Sequence, residues 1–117
     1  MTGKPHDLEV RTEAFAVAVR AFVRSLPRTI GNIEDVKQLV RSSGSIAANC
    51  IEANESLGGK DRVMRFRIAR KEAKESRLWL SLVNTAENRM LDEQRETLLQ
   101  EAIELKLILT AIIKKLE

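Results

Sequence analysis

KQLVRSSGSIAANCIEANESLGGKDRVMRFRIARKEAKESRLWLSLV, residues 37–83, holds two long helical patterns that meet at Gly58-Gly59. Before the joint, Val36, Leu39, Val40, Ser43, Ala47, Cys50 and Ile51 recur at three- and four-residue spacings along one broad face. After it, Met64, Ile68, Lys71, Glu75, Leu78, Leu82 and Thr85 follow a 3.6-residue stripe, widened by Trp79 and Val83. The spacing predicts a second helix from near Asn32, read as its cap with Glu34 and Asp35 in the first turn, and a third from Lys60 to Asn88. Glycine at the joint suits a helix end that enters the left-handed region.

The same period extends outward in both directions. Phe15, Ala18, Val19, Phe22 and Leu26 form a core stripe, which predicts a first helix from Leu8 to Ser25, capped by Asp7 and stopped by Pro27. Leu98, Leu99, Ala102, Leu105, Ile108, Leu109, Ile112 and Ile113 form a wider one, which predicts a fourth helix after Met90 with Asp92 as cap. Four helices joined by short connections specify an all-α, antiparallel up-down four-helix bundle. At 117 residues the chain is one domain, residues 1–117.

Composition agrees with this class. Hydrophobic residues are 44% and charged residues 32%, a balance that a disordered chain does not show. Three Phe and one Trp are too few for a β-sandwich core. The single Cys50 precludes an internal disulfide and fits a reducing cytoplasm. There is no apolar run of membrane-spanning length, and MTGKPHDLEV lacks the apolar centre of a signal peptide.

Polar residues interrupt the apolar faces. Arg41, Ser45, Asn49 and Glu52 stack along the second helix, and Lys71, Glu72 and Glu75 sit in the middle of the third. They are either a solvated stripe or a network at a helix contact that fixes which face meets which. Gly44, inside a helix at a cost of about 1 kcal/mol relative to alanine, predicts close approach of a neighbouring backbone.

Chemistry is poorly provided for. The Glu-x-x-His pairs of a di-iron bundle are absent, and the one histidine is His6, near the N-terminus. Zinc hydrolysis and a Ser-His-Asp or Cys-His arrangement lack a placed histidine, and Gly58-Gly59-Lys60 is no phosphate loop. A Glu52–Glu75 acid–base pair is what an enzyme would have to use. The expectation is a non-enzymatic protein without cofactor or metal.

Net charge is +3, but residues 59–87 alone carry +4. Lys60, Arg62, Arg67, Arg70, Lys74 and Arg77 are the candidate nucleic-acid-binding residues, since clustered cations displace counterions from a phosphate backbone. The competing reading is a solvated face with i, i+4 ion pairs. With no tyrosine, and Trp79 on the core stripe, base stacking is poorly supported and any binding is backbone-directed.

Several segments together resemble the 23S rRNA intervening-sequence-encoded protein family. Asp7-Leu8-Glu9-Val10 is similar to its Asp-Leu-x-Val opening, and Leu26-Pro27 to its Pro-terminated first helix. Arg41-Ser42-Ser43-Gly44-Ser45-Ile46, with Asn49 and Glu52, resembles its Arg-Ala-x-x-Ser-Ile-x-x-Asn-x-x-Glu signature. Ile68-Ala69-Arg70 with Glu72, Glu75 and Ser76 resembles its third helix. The resemblance implies a four-helix bundle assembling as a homopentamer, with Arg41, Ser45, Asn49, Glu52 and Glu75 as a structural polar network. A related branch, the accessory variability determinants of diversity-generating retroelements, implies RNA or DNA and a reverse transcriptase as partners. A protein-interaction scaffold without nucleic acid is the alternative, motivated by the wide apolar stripe of the fourth helix.

Overall fold

Each predicted apolar stripe needs a partner, and four helices supply them to one another. The computed structural model describes the backbone of residues 5–117 and the side chains of residues 7–117. Residues 1–4, where the stretch read for a signal peptide begins, lie outside the described residues, as does the side chain of His6. The helices are α1 (Pro5–Val23), α2 (Ile30–Glu55), α3 (Gly59–Leu82) and α4 (Arg89–Leu116), with no strand among the described residues. Consecutive helices run antiparallel in an elongated body of 46 × 25 × 18 Å. Contacts join α1 to α2, α2 to α3, α3 to α4 and α4 back to α1, while the diagonal pairs stay apart. The α2–α3 seam is the most extensive and the α1–α4 closure the loosest. No described helix is long and apolar enough to cross a membrane.

The core runs the length of the bundle. Leu8, Phe15, Val19 and Phe22 of α1 meet Leu39, Ile46 and Cys50 of α2 and Leu98, Leu105 and Leu109 of α4. The α4 stripe packs as its period predicts, with Leu99, Ile108 and Ile112 half-buried at the margin, and so does the α1 stripe except for Ala18, which is exposed while Thr12 and Ala16 are buried.

On α3 the buried face is a different one. Phe66, Ala69, Glu72, Ala73, Ser76 and Leu80 turn inward, whereas Met64, Leu78 and Leu82 of the predicted stripe are 58%, 47% and 54% exposed. Small size decides this. Ala69, Ala73 and Ser76 face Ser42 and Ser43, letting the two backbones approach until Ser42 Oγ and Ser76 Oγ hydrogen-bond at 2.8 Å with neither exposed. A stripe chosen by hydrophobic bulk selects the opposite edge.

Helix ends differ too. Asp7 lies within the first turn of α1 and does not cap it. Thr29 caps α2, its hydroxyl accepting from the Asn32 amide at 3.1 Å, which places Asn32 inside the helix. Asn88 caps α4, accepting from the Leu91 amide, and Asp92 falls in its first turn. Gly58 is extended at φ −115° and caps α3, and no glycine among the described residues has positive φ. The left-handed residues are instead Ala86 and Glu87, at φ 56° and 58° in the loop after α3. That loop ends α3 six residues before the predicted Asn88, where Arg95 Nη1 donates to the Val83 carbonyl at 2.6 Å and Asn84 Oδ1 accepts from the Ala86 amide at 2.7 Å. Gly44 does not meet a neighbouring backbone. A Cβ there would lie 3.3 Å from the Arg20 guanidinium.

Candidate nucleic-acid interface on the third helix

The inward turn of Phe66, Ala69 and Ala73 fixes where every cation of α3 points. Arg62 precedes Phe66 by four residues and so shares the inner face. It is half-buried, and its Nε donates to the Ala53 carbonyl at 3.3 Å, closing the C-terminal turn of α2. Arg65 also turns to α2, its Nη1 meeting Asn49 Oδ1 at 3.5 Å. Lys60, Arg67, Lys71, Lys74 and Arg77 are exposed. Arg70 is half-buried against α4, where its Nη1 meets Thr110 Oγ1 at 3.5 Å, and Arg67 pairs with Glu117.

Arg67, Arg70, Lys71, Lys74, Glu75 and Leu78 surround an open depression of about 320 Å³. Four cations against one carboxylate make it electropositive. Five of the six sequence-derived cations therefore stay on the outer or α4-facing side, and Arg62 does not join them. Lys71 does join. Its place on the supposed core stripe kept it out of the predicted binding set.

The residues proposed for a polar network split into two groups. Arg41 Nη2 reaches Glu72 Oε1 at 3.4 Å and Glu75 Oε1 at 3.3 Å across the α2–α3 seam. Eight residues along α2, Asn49 Nδ2 donates to the Ser45 carbonyl and hydroxyl at 2.9 and 3.1 Å. Glu52 is exposed, and its carbonyl accepts from Ser56 Oγ at 2.9 Å. Glu52 follows Arg41 by eleven residues, roughly 16 Å of helix axis, so Glu52 and Glu75 do not share a pocket. The carboxylate that carries the seam is Glu72, at 6% exposure. A second linkage, absent from the sequence reading, ties Asn32 to the chain just past α3.

Elsewhere, Arg11 clamps α1 to α4 through Glu101 at 2.7 and 2.8 Å and Glu104 at 2.9 Å. The Glu101 bonds hold its guanidinium even more firmly protonated than usual. Burial pushes the Cys50 thiol up to about 12, with the charge of Glu9 adding to the effect, so the sulfur is a protonated core group. Among the described residues no group of three or more His, Cys, Asp or Glu could hold a metal ion.

The family model of the 23S rRNA-intervening sequence protein matches residues 6–111, nearly the whole bundle. The chain belongs to that family. A solved structure from the S23 ribosomal protein family of Bacteroides thetaiotaomicron, a protein of unknown function, is 30% identical. It superposes with a TM-score of 0.76 over 92% of this chain and 98% of its own. Curated proteins give no match. For this member of the 23S rRNA-intervening sequence family, membership thus establishes the fold and leaves the role to be argued from the surface.

Proposed function

We propose that the chain is a non-enzymatic, self-assembling bundle of the cytoplasm that binds the phosphate backbone of RNA or DNA through the outer edge of α3. The observation that carries this reading is the run of Lys60, Arg67, Arg70, Lys74 and Arg77 on the exposed and α4-facing side of one helix. Cations at this density gain binding free energy by releasing counterions and read no sequence. A homopentamer, the assembly that the family resemblance implies, would repeat the edge around a ring and multiply the field.

The test is titration of labelled structured RNA and duplex DNA at low and near-physiological salt. Binding should weaken steeply with salt and disappear in Lys60→Glu/Lys74→Glu/Arg77→Glu, three positions whose side chains are exposed. Undiminished binding by that variant would sink the α3 assignment. The second reading is a protein scaffold, with a reverse transcriptase among its candidate partners. It is favoured by the exposed Met64, Leu78 and Leu82 beside the cations. Absence of nucleic-acid binding even at low salt would select it.

A further inference from the structure

The outer surface of α3 has two edges. One is the cationic edge. The other runs through Met64, Lys71, Leu78 and Leu82, spaced by seven, seven and four residues and therefore aligned along the helix, and it shares Lys71 and Leu78 with the cationic depression. Three of these four are large apolar side chains about half in water. Scattered singly they would mean little, but in a line they form a ridge with no partner among the described residues.

A matching hollow lies on another side of the bundle. Because α1 and α4 close loosely, a cleft of about 590 Å³ remains between them. Phe15 and Leu98 contribute apolar lining, while Ala14 and Ala18 are small enough to admit a foreign helix closely. Glu96, Glu101 and Glu104 stand on the α4 side against the single cation Arg11, which already bonds Glu101 and Glu104 and leaves Glu96 as the carboxylate for a docking cation to meet. The cleft is therefore apolar and acidic where the ridge is apolar and basic.

We propose that the α3 ridge of one copy docks in the α1–α4 cleft of a second copy, with Leu78 on the apolar lining and Lys71 against the Glu96–Glu104 wall. Lengths agree. Glu96 to Glu104 spans about 12 Å of α4 and Lys71 to Leu78 about 10 Å of α3, leaving Met64 and Leu82 to cover the rims. Ridge and cleft are different surfaces, so a docked pair still offers one free ridge and one free cleft. Such a contact is heterologous and propagates head to tail, closing as a ring when the rotation permits. The inference rests on the self-assembly reading and supplies its interface. It leaves Lys74 and Arg77 outside the essential contact.

Light scattering on size-exclusion fractions tests it, with wild type, Leu78→Asp, Lys71→Glu, Glu96→Lys and the double variant Lys71→Glu/Glu96→Lys. The wild type should be a defined oligomer, and Leu78→Asp a monomer of unchanged helicity and melting temperature. Each single charge reversal should weaken assembly at least tenfold, and the double reversal should restore it. An assembled wild type with an equally assembled Leu78→Asp, or a double variant no better than the singles, would overturn the interface alone. A wild type monomeric at all concentrations would overturn self-assembly itself.

Discussion

Asn32 and Asn84 form a closed pair that joins the start of α2 to the end of α3. The Asn32 side chain donates to the Asn84 carbonyl at 2.8 Å and accepts from the Asn84 amide at 2.8 Å, as one strand residue pairs with another. Its Nδ2 also donates to the Pro27 carbonyl at 2.9 Å, so one side chain secures two loops. At 3% exposure, water cannot replace it.

Removing that side chain should therefore cost more than a helix cap. Asn32→Ala leaves main-chain groups of Asn84 and Pro27 without their partner, at about 2–3 kcal/mol. Urea unfolding should show a lower midpoint with an unchanged slope. A loss within error of zero would mean that water reaches the loops.

Gly44→Ala should stabilise the bundle. Alanine gains about 1 kcal/mol of helix propensity over glycine. The new methyl displaces the flexible Arg20 guanidinium, whose contact with the Val40 carbonyl is long at 3.5 Å. A net gain of about 0.5–1 kcal/mol is expected, seen as a rise of a few degrees in Tm. A fall would show that Arg20 cannot move.

The loop after α3 stores strain that glycine would relieve. Glu87 sits at φ 58° and is exposed, so its side chain offers little in return. Glu87→Gly should raise stability by about 0.5 kcal/mol or more, and Glu87→Val should lower it, both read from thermal melts.

Alkaline pH should destabilise the fold through Cys50. An unfolded thiol titrates near 8.5, whereas burial holds the native one protonated up to about 12. For a folded pKa raised above the unfolded value, the contribution to stability is complete below about 8.5 and is lost as pH climbs toward the native pKa. Denaturation midpoints should thus fall between about pH 8.5 and 10.5 more steeply than in Cys50→Ala. The native thiol should also resist alkylation that modifies the urea-unfolded chain. Equal slopes in the two proteins, or rapid native labelling, would refute a sealed sulfur.

By itself the sequence determined that there are four helices, which faces of α1 and α4 are buried and roughly where each helix lies. Phe15, Val19 and Phe22, or Leu98, Leu105 and Leu109, are bulky side chains on otherwise polar helices, and such a stripe has only one way to leave water. The cationic character of α3 was equally plain, because charge needs no partner to be counted. Only the tertiary structure decided which side of α3 faces α2. There Ala69, Ala73 and Ser76 win over Met64, Leu78 and Leu82, since close backbone approach and a Ser42–Ser76 bond favour small side chains that a hydrophobicity pattern undervalues. That one rotation turned Arg62 inward, brought Lys71 out, moved Glu72 into the seam and left an apolar ridge in water. The Asn32–Asn84 pair was illegible for the same reason. Two asparagines 52 residues apart carry no local signal until the helices between them are packed.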